Sequence, residues 1–398
     1  MANPAAVLAP EPKFEKLRYP LVYRLGHRVI CPLILRDYSF QTDIAPADLP
    51  GPYIVMANHL TEVDMFMLVS AFPQHMYFVA GEHLMRNTNG RRIIWAQNPI
   101  LEFKGSVAVA TVREIIARIK AGHNVMIFPE GSRSFNGETP ELPASTGQLV
   151  KMAGCGLVTY RIEGGYFCAP RWAYTVRKGP MKGHIVNIYT KEQVAAMSKQ
   201  ELTALINRDI HENAYETQRR DPHEYRGERL AEGLENYLIK CSACGALDSM
   251  ETHDDHFRCK ACGQEGIYTP QGFLQGEGLR FDSVYDWGVW SESEIVQQVR
   301  AAADGSVVFT DSDVTLYEIS ASHERTDLAV GELRGFRDRL ELGGEVFAFK
   351  DIPAMDMLYF GKTLLFSHKG RHLGITGESF HALKYHKLYV VAKEPSRS

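Results

Sequence analysis

His59 and Asp64, within the block NHLTEVD at residues 58–64, are the side chains whose types and spacing can most directly do chemistry. An imidazole with an ordinary pKa of ~6.5 can take a proton from a hydroxyl near neutral pH. A carboxylate on its far ring nitrogen fixes the tautomer and stabilises the imidazolium that forms. The spacing also has a plainer reading, because Thr61 followed by Asp64 fits a capping box at a helix start. A second block, FPEGSRS at residues 128–134, offers an acid, a flexible glycine and a guanidinium. Gly131 permits close approach of a ligand to backbone, and Arg133 can grip a phosphate bidentately. Glu130 can accept hydrogen bonds from ligand hydroxyls or hold the loop in place. The third set is Cys241, Cys244, Cys259 and Cys262, two C-x-x-C pairs, each followed by a glycine (Gly245 and Gly263). Four thiolates in two such knuckles suit a tetrahedral structural Zn2+ with no open position, the pattern of a zinc ribbon. His253 and His256 lie between the pairs and read as exposed residues rather than ligands.

These residues need elements to position them. The apolar run 53–57 precedes the first block and 65–69 follows it, which predicts a strand-to-helix junction. The second block closes another apolar run, predicting a strand over 124–128. Between them, Thr111 with Glu114 fits a capping box, Val112, Ile115, Ile116 and Ile119 form an apolar stripe, and Gly122 ends the helix. A further strand over 157–162 ends at Gly164-Gly165. Short apolar runs alternating with helical patterns from 51 to 176 predict an α/β domain, a mostly parallel sheet flanked by helices. Polar clusters at strand ends of such a sheet are where ligands bind.

The order and spacing of NHLTEVD and FPEGSRS resemble the glycerolipid (1-acyl-glycerol-3-phosphate or lysophospholipid) acyltransferase family over residues 40–180. The resemblance implies His59 as general base, Asp64 as its orienting partner, and Glu130, Gly131 and Arg133 as the acceptor's binding groups. It implies acyl transfer from an acyl-CoA or acyl-carrier protein thioester to the hydroxyl of a lysophosphatidate-like acceptor. No covalent acyl-enzyme is required, since the acceptor hydroxyl is itself the nucleophile. The family carries an arginine for the acceptor phosphate in a block between these two, and here the corresponding stretch, read as a strand over 104–111, lacks it. Lys104 or Arg113 is the candidate substitute, although neither sits at the family's position. The family's later proline-bearing block has its proline late here, at Pro170. A non-catalytic lipid-binding or scaffold protein on the same fold is the alternative.

The rest of the chain frames that domain. From 14 to 35, apolar Leu17, Leu21, Val22, Leu25, Val29 and Ile30 alternate with Lys16, Arg18, Arg24, Arg28 and Arg36. This reads as an amphipathic membrane-contact segment, or as a helix packed on its own domain, broken by Pro20, Gly26 and Pro32. A net charge of −4 argues against general nucleic-acid binding. The N-terminal residues show no signal peptide, and no apolar stretch is long enough to span a bilayer, which places the protein in the cytoplasm, peripheral at the inner membrane face. Residues 182–236 read as helical and polar. Beyond 273 short alternating runs and a helix-compatible end over 379–393 predict a small β-barrel or roll whose topology resembles pleckstrin-homology-like modules. The expected division is 1–40, 41–236, 237–270 and 271–398.

Overall fold

The computed structural model describes residues 13–86, 88–106, 108–320 and 322–394. The chain packs as two compact units. Of the described residues, one takes those of 13–102, 108–171 and 177–226, and the other those of 103–106, 172–176 and 227–394.

The first unit is a seven-stranded sheet of β1 (Gln41–Thr42), β2 (Tyr53–Ala57), β3 (Met76–Gly81), β4 (Ile100–Glu102), β5 (Asn124–Ile127), β6 (Gly156–Glu163) and β7 (Lys182–Tyr189). Its order is β1-β7-β6-β2-β5-β3-β4. All pairings are parallel except that of β6 with β7. Every residue of β2 is buried, as a central strand covered on both faces requires, hence its unbroken apolar sequence. Ile115 and Ile119 of the Val109–Lys120 helix, Val150 of Ser145–Ala153, and Leu202 and Ile206 of Lys199–Ile210 share one core with Ile54, Met56, Val125 and Leu157.

Several expectations are corrected here. The stretch after β4 is a turn leading into a helix rather than a strand over 104–111, and Val107 within it lies outside the described residues. The helix begins at Val109 with no side-chain cap. Thr111 is therefore already inside it, and its hydroxyl donates to Leu101 O at 3.2 Å, while Glu114 pairs with Arg118 one turn on. Residues 182–189 form β7 rather than a helix, because β-branched Ile185, Val186 and Ile188 suit a pleated edge of the sheet. The stretch 221–233 is irregular.

The N-terminal breaks do not stop the helical run. An α-helix over Lys13–Leu25 passes into a π turn over Gly26–Ile30 and a second α-helix over Cys31–Leu35. Pro20 sits inside the first, and Pro32 is the second residue of the last. Tyr19, Tyr23, Gly26, Cys31 and Leu35 are buried, in helical steps of four and three residues and one step of five across the π turn. The extra residue keeps one face on the domain, where Tyr23 Oη donates to Phe72 O at 3.0 Å. The opposite face leaves Leu21, Leu25, Val29, Ile30 and Leu33 exposed. Residues 1–12, on which the absence of a signal peptide was read, lie outside the described residues.

The second unit holds two antiparallel sheets. The smaller is β8 (Met250–His253), β9 (His256–Cys259), β10 (Glu265–Tyr268) and β11 (Leu274–Gln275), in the order β11-β10-β9-β8. The larger is β12 (Phe309–Ile319), β13 (Arg325–Gly335), β14 (Arg339–Leu342), β15 (Glu345–Ala348), β16 (Met355–Leu358), β17 (Thr363–His368) and β18 (Arg371–Thr376). Its order, β15-β14-β13-β12-β18-β17-β16, returns the last strand to the first but leaves β15 and β16 as edges, so the expected barrel does not close through hydrogen bonds. The Ala382–Lys393 helix follows, as the spacing predicted. A helix over Val284–Ala301 precedes the sheet where only strands were expected. Its buried Val284, Trp287, Ser291, Ile295 and Val299 fall at helical intervals, but the serine and Gly288 blur the stripe. Gly288 is needed there, since a Cβ would lie 2.2 Å from the Tyr237 ring.

Candidate functional site

The parallel register of β2 on β5 pairs Ile54 with Val125, Val55 with Met126 and Met56 with Ile127. Parallel neighbours emerge at the same edge, so the loops carrying NHLTEVD and FPEGSRS leave the sheet side by side. Backbone joins them: the His59 amide donates to Glu130 Oε1 at 2.6 Å, and the Ser134 amide donates to His59 O at 3.2 Å. On the other flank, fully buried Asn58 bonds both backbone groups of Ile162, donating from Nδ2 to the carbonyl at 2.8 Å and accepting the amide on Oδ1 at 2.7 Å. The loop is tied to β6 as firmly as to β5.

His59 Nδ1 lies 2.9 Å from Asp64 Oδ2. That carboxylate is fully buried, and Oδ2 also accepts the amides of Leu60 at 2.6 Å and Thr61 at 2.9 Å. Oδ1 accepts the Thr61 hydroxyl at 2.6 Å. The helix starts at Asp64 with Val63 as its cap and no side-chain cap bond, so the expected Thr61–Asp64 capping box does not form; the carboxylate holds the loop before the helix and the histidine together. An ionised carboxylate only accepts, so Nδ1 carries the proton and the basic lone pair of the ring is on Nε2. The imidazole stacks on Phe128, centroids 4.3 Å apart and planes 16° apart, and its side chain stays 24% exposed. Gly165 lets the next turn approach, since a Cβ there would meet Thr61 Cγ2 at 3.1 Å and Leu60 Cβ at 3.2 Å.

Burial drives the Glu130 carboxyl well above the ordinary range, against the smaller opposing pull of the His59 amide. Its Oε2 is buried with no hydrogen-bond partner. Gly131 takes φ of +72°, a conformation that favours glycine. Arg133 Nη2 lies 3.2 Å from Glu62 Oε1, and burial pulls the guanidinium pKa down from its ordinary value.

His59, Asp64, Glu130, Gly131 and Arg133 thus come together. Lys104 does not join them: it belongs to the second unit, where its ammonium lies 3.7 Å from Asp356 Oδ2 at β16. Two residues escaped the sequence reading. Phe128 opens the second block but was given no role there. Arg171 lies in the later proline-bearing stretch, next to Pro170, and was not singled out. It is buried, donates from Nη1 to Arg133 O at 2.9 Å, and lays its guanidinium 4.1 Å above the Phe135 ring.

In the second unit the four cysteine sulfurs converge within 4.8 Å of one another. Cys241 Sγ is 3.8 Å from Cys262 Sγ, and Cys244 Sγ is 3.8 Å from Cys259 Sγ. Sulfurs at the corners of a tetrahedron with a Zn–S bond of ~2.3 Å stand ~3.8 Å apart, so this set can hold a metal ion. The two knuckles repeat one geometry: the amides of Gly245 and Gly263 donate to the carbonyls of Cys241 and Cys259 at 3.0 and 2.9 Å, with both glycines at positive φ. His253 and His256 are exposed in the β8–β9 hairpin.

A histidine–carboxylate dyad and an arginine loop at adjacent parallel strand ends have the chemistry to activate a hydroxyl beside an anion. Residues 41–163 match the family model described as Acyltransferase, a span that includes both blocks. Among solved structures, the 1-acyl-sn-glycerophosphate (LPA) acyltransferase PlsC from Thermotoga maritima is similar at 20% identity, over 50% of this chain and 81% of that one, with a TM-score of 0.39. No curated protein matches the chain. No helix among the described residues is long and apolar enough to cross a membrane.

Proposed function

We propose that this protein transfers a fatty acyl group from an acyl-CoA or acyl-carrier protein thioester to the hydroxyl of a lysophosphatidate-like acceptor. The 2.9 Å contact between His59 Nδ1 and a fully buried Asp64 carries the reading. With Nδ1 donating to Asp64, His59 Nε2 takes the acceptor's hydroxyl proton as the oxygen forms its bond to the thioester carbonyl carbon. The tetrahedral adduct then expels the thiolate as the C–S bond breaks, and the imidazolium returns the proton to sulfur. Asp64 stabilises the transient imidazolium without itself taking the proton. Arg133 binds the acceptor's phosphate, and Glu130 fixes the loop that carries the base through the His59 amide.

Two accessory roles belong to the same proposal. The four cysteines hold a structural zinc ion that folds the β8–β11 module. The exposed face of the N-terminal helical run, Leu21, Leu25, Val29, Ile30 and Leu33 beside exposed Arg24, Arg28 and Arg36, lies in an anionic membrane surface where a lipid acceptor resides. Trp95, 64% exposed, adds an interfacial aromatic next to it, with the Arg18 guanidinium 4.4 Å over its ring.

The test is acyl transfer by purified protein, with labelled acyl-CoA and acyl-carrier protein offered against a panel of lysolipids and His59→Ala run alongside. Product from wild type alone is expected. Membrane binding with no product from either protein would instead favour a non-catalytic lipid-binding role.

A further inference from the structure

The second unit buries a charged cluster that the proposed reaction does not use. Lys384 stands in the first turn of the Ala382–Lys393 helix and is only 2% exposed. An ammonium has three donors and no acceptor, so a buried lysine needs acceptors brought to it. Here its ammonium donates to Asp248 Oδ2 at 2.5 Å and to Asp311 Oδ1, on β12, at 3.0 Å. His381, the residue before the helix, places Nδ1 2.8 Å from Asp248 Oδ1. Both oxygens of Asp248 are thus spent on the start of one helix.

Asp248 itself belongs to the cysteine module, on the loop 245–249 between the first C-x-x-C pair and β8. The two knuckles build that loop. The Cys241 amide donates to Ala246 O at 2.9 Å and the Lys260 amide to Ser249 O at 2.8 Å, so each C-x-x-C stretch grips one part of it. The Ser249 hydroxyl lies 3.3 Å from Cys259 Sγ, and the Asp248 amide donates to Ile239 O at 2.8 Å. Asp248 takes φ of +51°, a conformation that needs such bonds to hold it.

We propose that the module is a metal-dependent latch on the 382–393 helix: a metal on the four thiolates fixes the 245–249 loop, and Asp248 on that loop locks His381 and Lys384 in place. The inference rests on the structural zinc role and is independent of acyl transfer. Without the ion the two knuckles lose their common tie. The loop then releases Asp248, and buried donors on Lys384 and His381 lose an acceptor that nothing else replaces.

The first arm is hydrogen–deuterium exchange of the full-length protein, read peptide by peptide with and without a chelator. Metal removal should speed exchange by about 10-fold or more in residues 382–393 as well as in β8–β11, while β14 and β15 keep their rates. Faster exchange confined to β8–β11 overturns the latch. So does acceleration that reaches β14 and β15 equally, since the whole unit would then be unfolding.

The second arm uses reciprocity: if metal favours the docked helix, docking favours metal by the same factor. Zinc affinity is measured by competition with a chromophoric chelator. Lys384→Met leaves every residue of the module in place and should weaken zinc binding by about 10-fold. Asp248→Ala should do the same, and the double variant should lose no more than the weaker-binding single one, because both remove one contact. Glu394→Gln, which breaks an exposed pair with Arg300 beyond the other end of the helix, should stay within about 2-fold of wild type. Unchanged affinity in Lys384→Met overturns the latch, as does an equal fall in Glu394→Gln. Should Lys384→Met fail to fold, His381→Ala, which removes the other partner of Asp248, must show the same fall. A wild type that holds no metal overturns the zinc role and the latch together, whereas bound metal with an indifferent helix overturns the latch alone.

Discussion

The His59 backbone amide and the Glu130 carboxylate meet at 2.6 Å, and the meeting is a continuation of sheet register. β2 and β5 pair Met56 with Ile127, and three residues further along both strands the same offset reaches His59 and Glu130. The candidate base is therefore positioned by strand pairing, while its side chain is oriented by the helix start at Asp64. Glu130 holds the loop that presents the ring, and Phe128, two residues earlier, supports its face.

His59→Ala should lower kcat by about 10²–10⁴-fold, the usual contribution of a general base, in a protein that stays folded and keeps its metal. Asp64→Asn should lower kcat and also destabilise the fold by about 1–3 kcal/mol, because its amide nitrogen cannot accept the Leu60 and Thr61 donors. Steady-state kinetics with thermal melts check the pair. A catalytically normal Asp64→Asn would remove the orienting role.

Phe128→Leu should preserve KM and reduce kcat by about 10–100-fold, since the ring that stacks on His59 keeps Nε2 aimed. Phe128→Tyr should retain most activity. Equal kcat in wild type and Phe128→Leu would show that Asp64 alone suffices to orient the base.

Elemental analysis of the purified protein should find one zinc ion per chain, and Cys241→Ser or Cys259→Ser should reduce it to near zero. Metal binding in such modules amounts to about 10–16 kcal/mol of folding free energy, so these variants and chelator-treated wild type should lose protection of β8–β11 against proteolysis. Full protection after complete metal removal would argue that the module folds by packing alone.

Vesicle sedimentation tests the N-terminal face. Leu25→Asp or Val29→Asp should each weaken binding to anionic vesicles by about 10-fold or more, because each removes an apolar side chain worth about 1.5–3 kcal/mol on burial. Tyr23→Phe, on the packed face, should leave vesicle binding unchanged and lower thermal stability through its bond to Phe72 O. The reverse pattern would mean that the exposed face does not meet lipid.

Glu212 makes a pH-dependent contribution. Burial raises its carboxyl pKa from 4.5 to about 7. Between those values the folded state holds a proton that the unfolded state has released, so stability falls as pH rises through this window. The shift corresponds to about 3 kcal/mol lost by pH 8. Glu212→Gln, isosteric and uncharged, should be more stable than wild type at pH 8 and similar at pH 5. His75 acts in the opposite sense: burial lowers its pKa to about 4, so stability from this group rises with pH up to about 6.5. Denaturant melts of Glu212→Gln against wild type across pH 4–8 check the Glu212 contribution.

Local pattern determined a good deal of this protein. The apolar run 53–57 became β2 with the expected bounds, the helix after NHLTEVD began at Asp64, and the two C-x-x-C pairs converged on one point. These features depend on residues near one another in the chain, or on a spacing with one good geometric solution. The Val284–Ala301 helix was missed because Ser291 and Gly288 interrupt its apolar stripe, and the glycine is explained by the Tyr237 ring against that face. Likewise, Pro20, Gly26 and Pro32 read as breaks, yet a π turn absorbs one residue and keeps Tyr23 and Cys31 on the same face.

The sequence by itself determined which residues could do chemistry: His59, Asp64, Glu130, Gly131, Arg133 and the four cysteines. Only the tertiary structure decided which of them meet. Strand order is set by how helices cover the sheet, a global packing outcome, and it put β5 beside β2 so that Glu130 reaches His59. The same packing took Lys104 into the second unit and brought Arg171, next to Pro170 and given no role in the sequence reading, onto the Arg133 loop. A charge's partner is fixed by distance in space, and no local spacing in the chain encodes that distance for residues on separate strands.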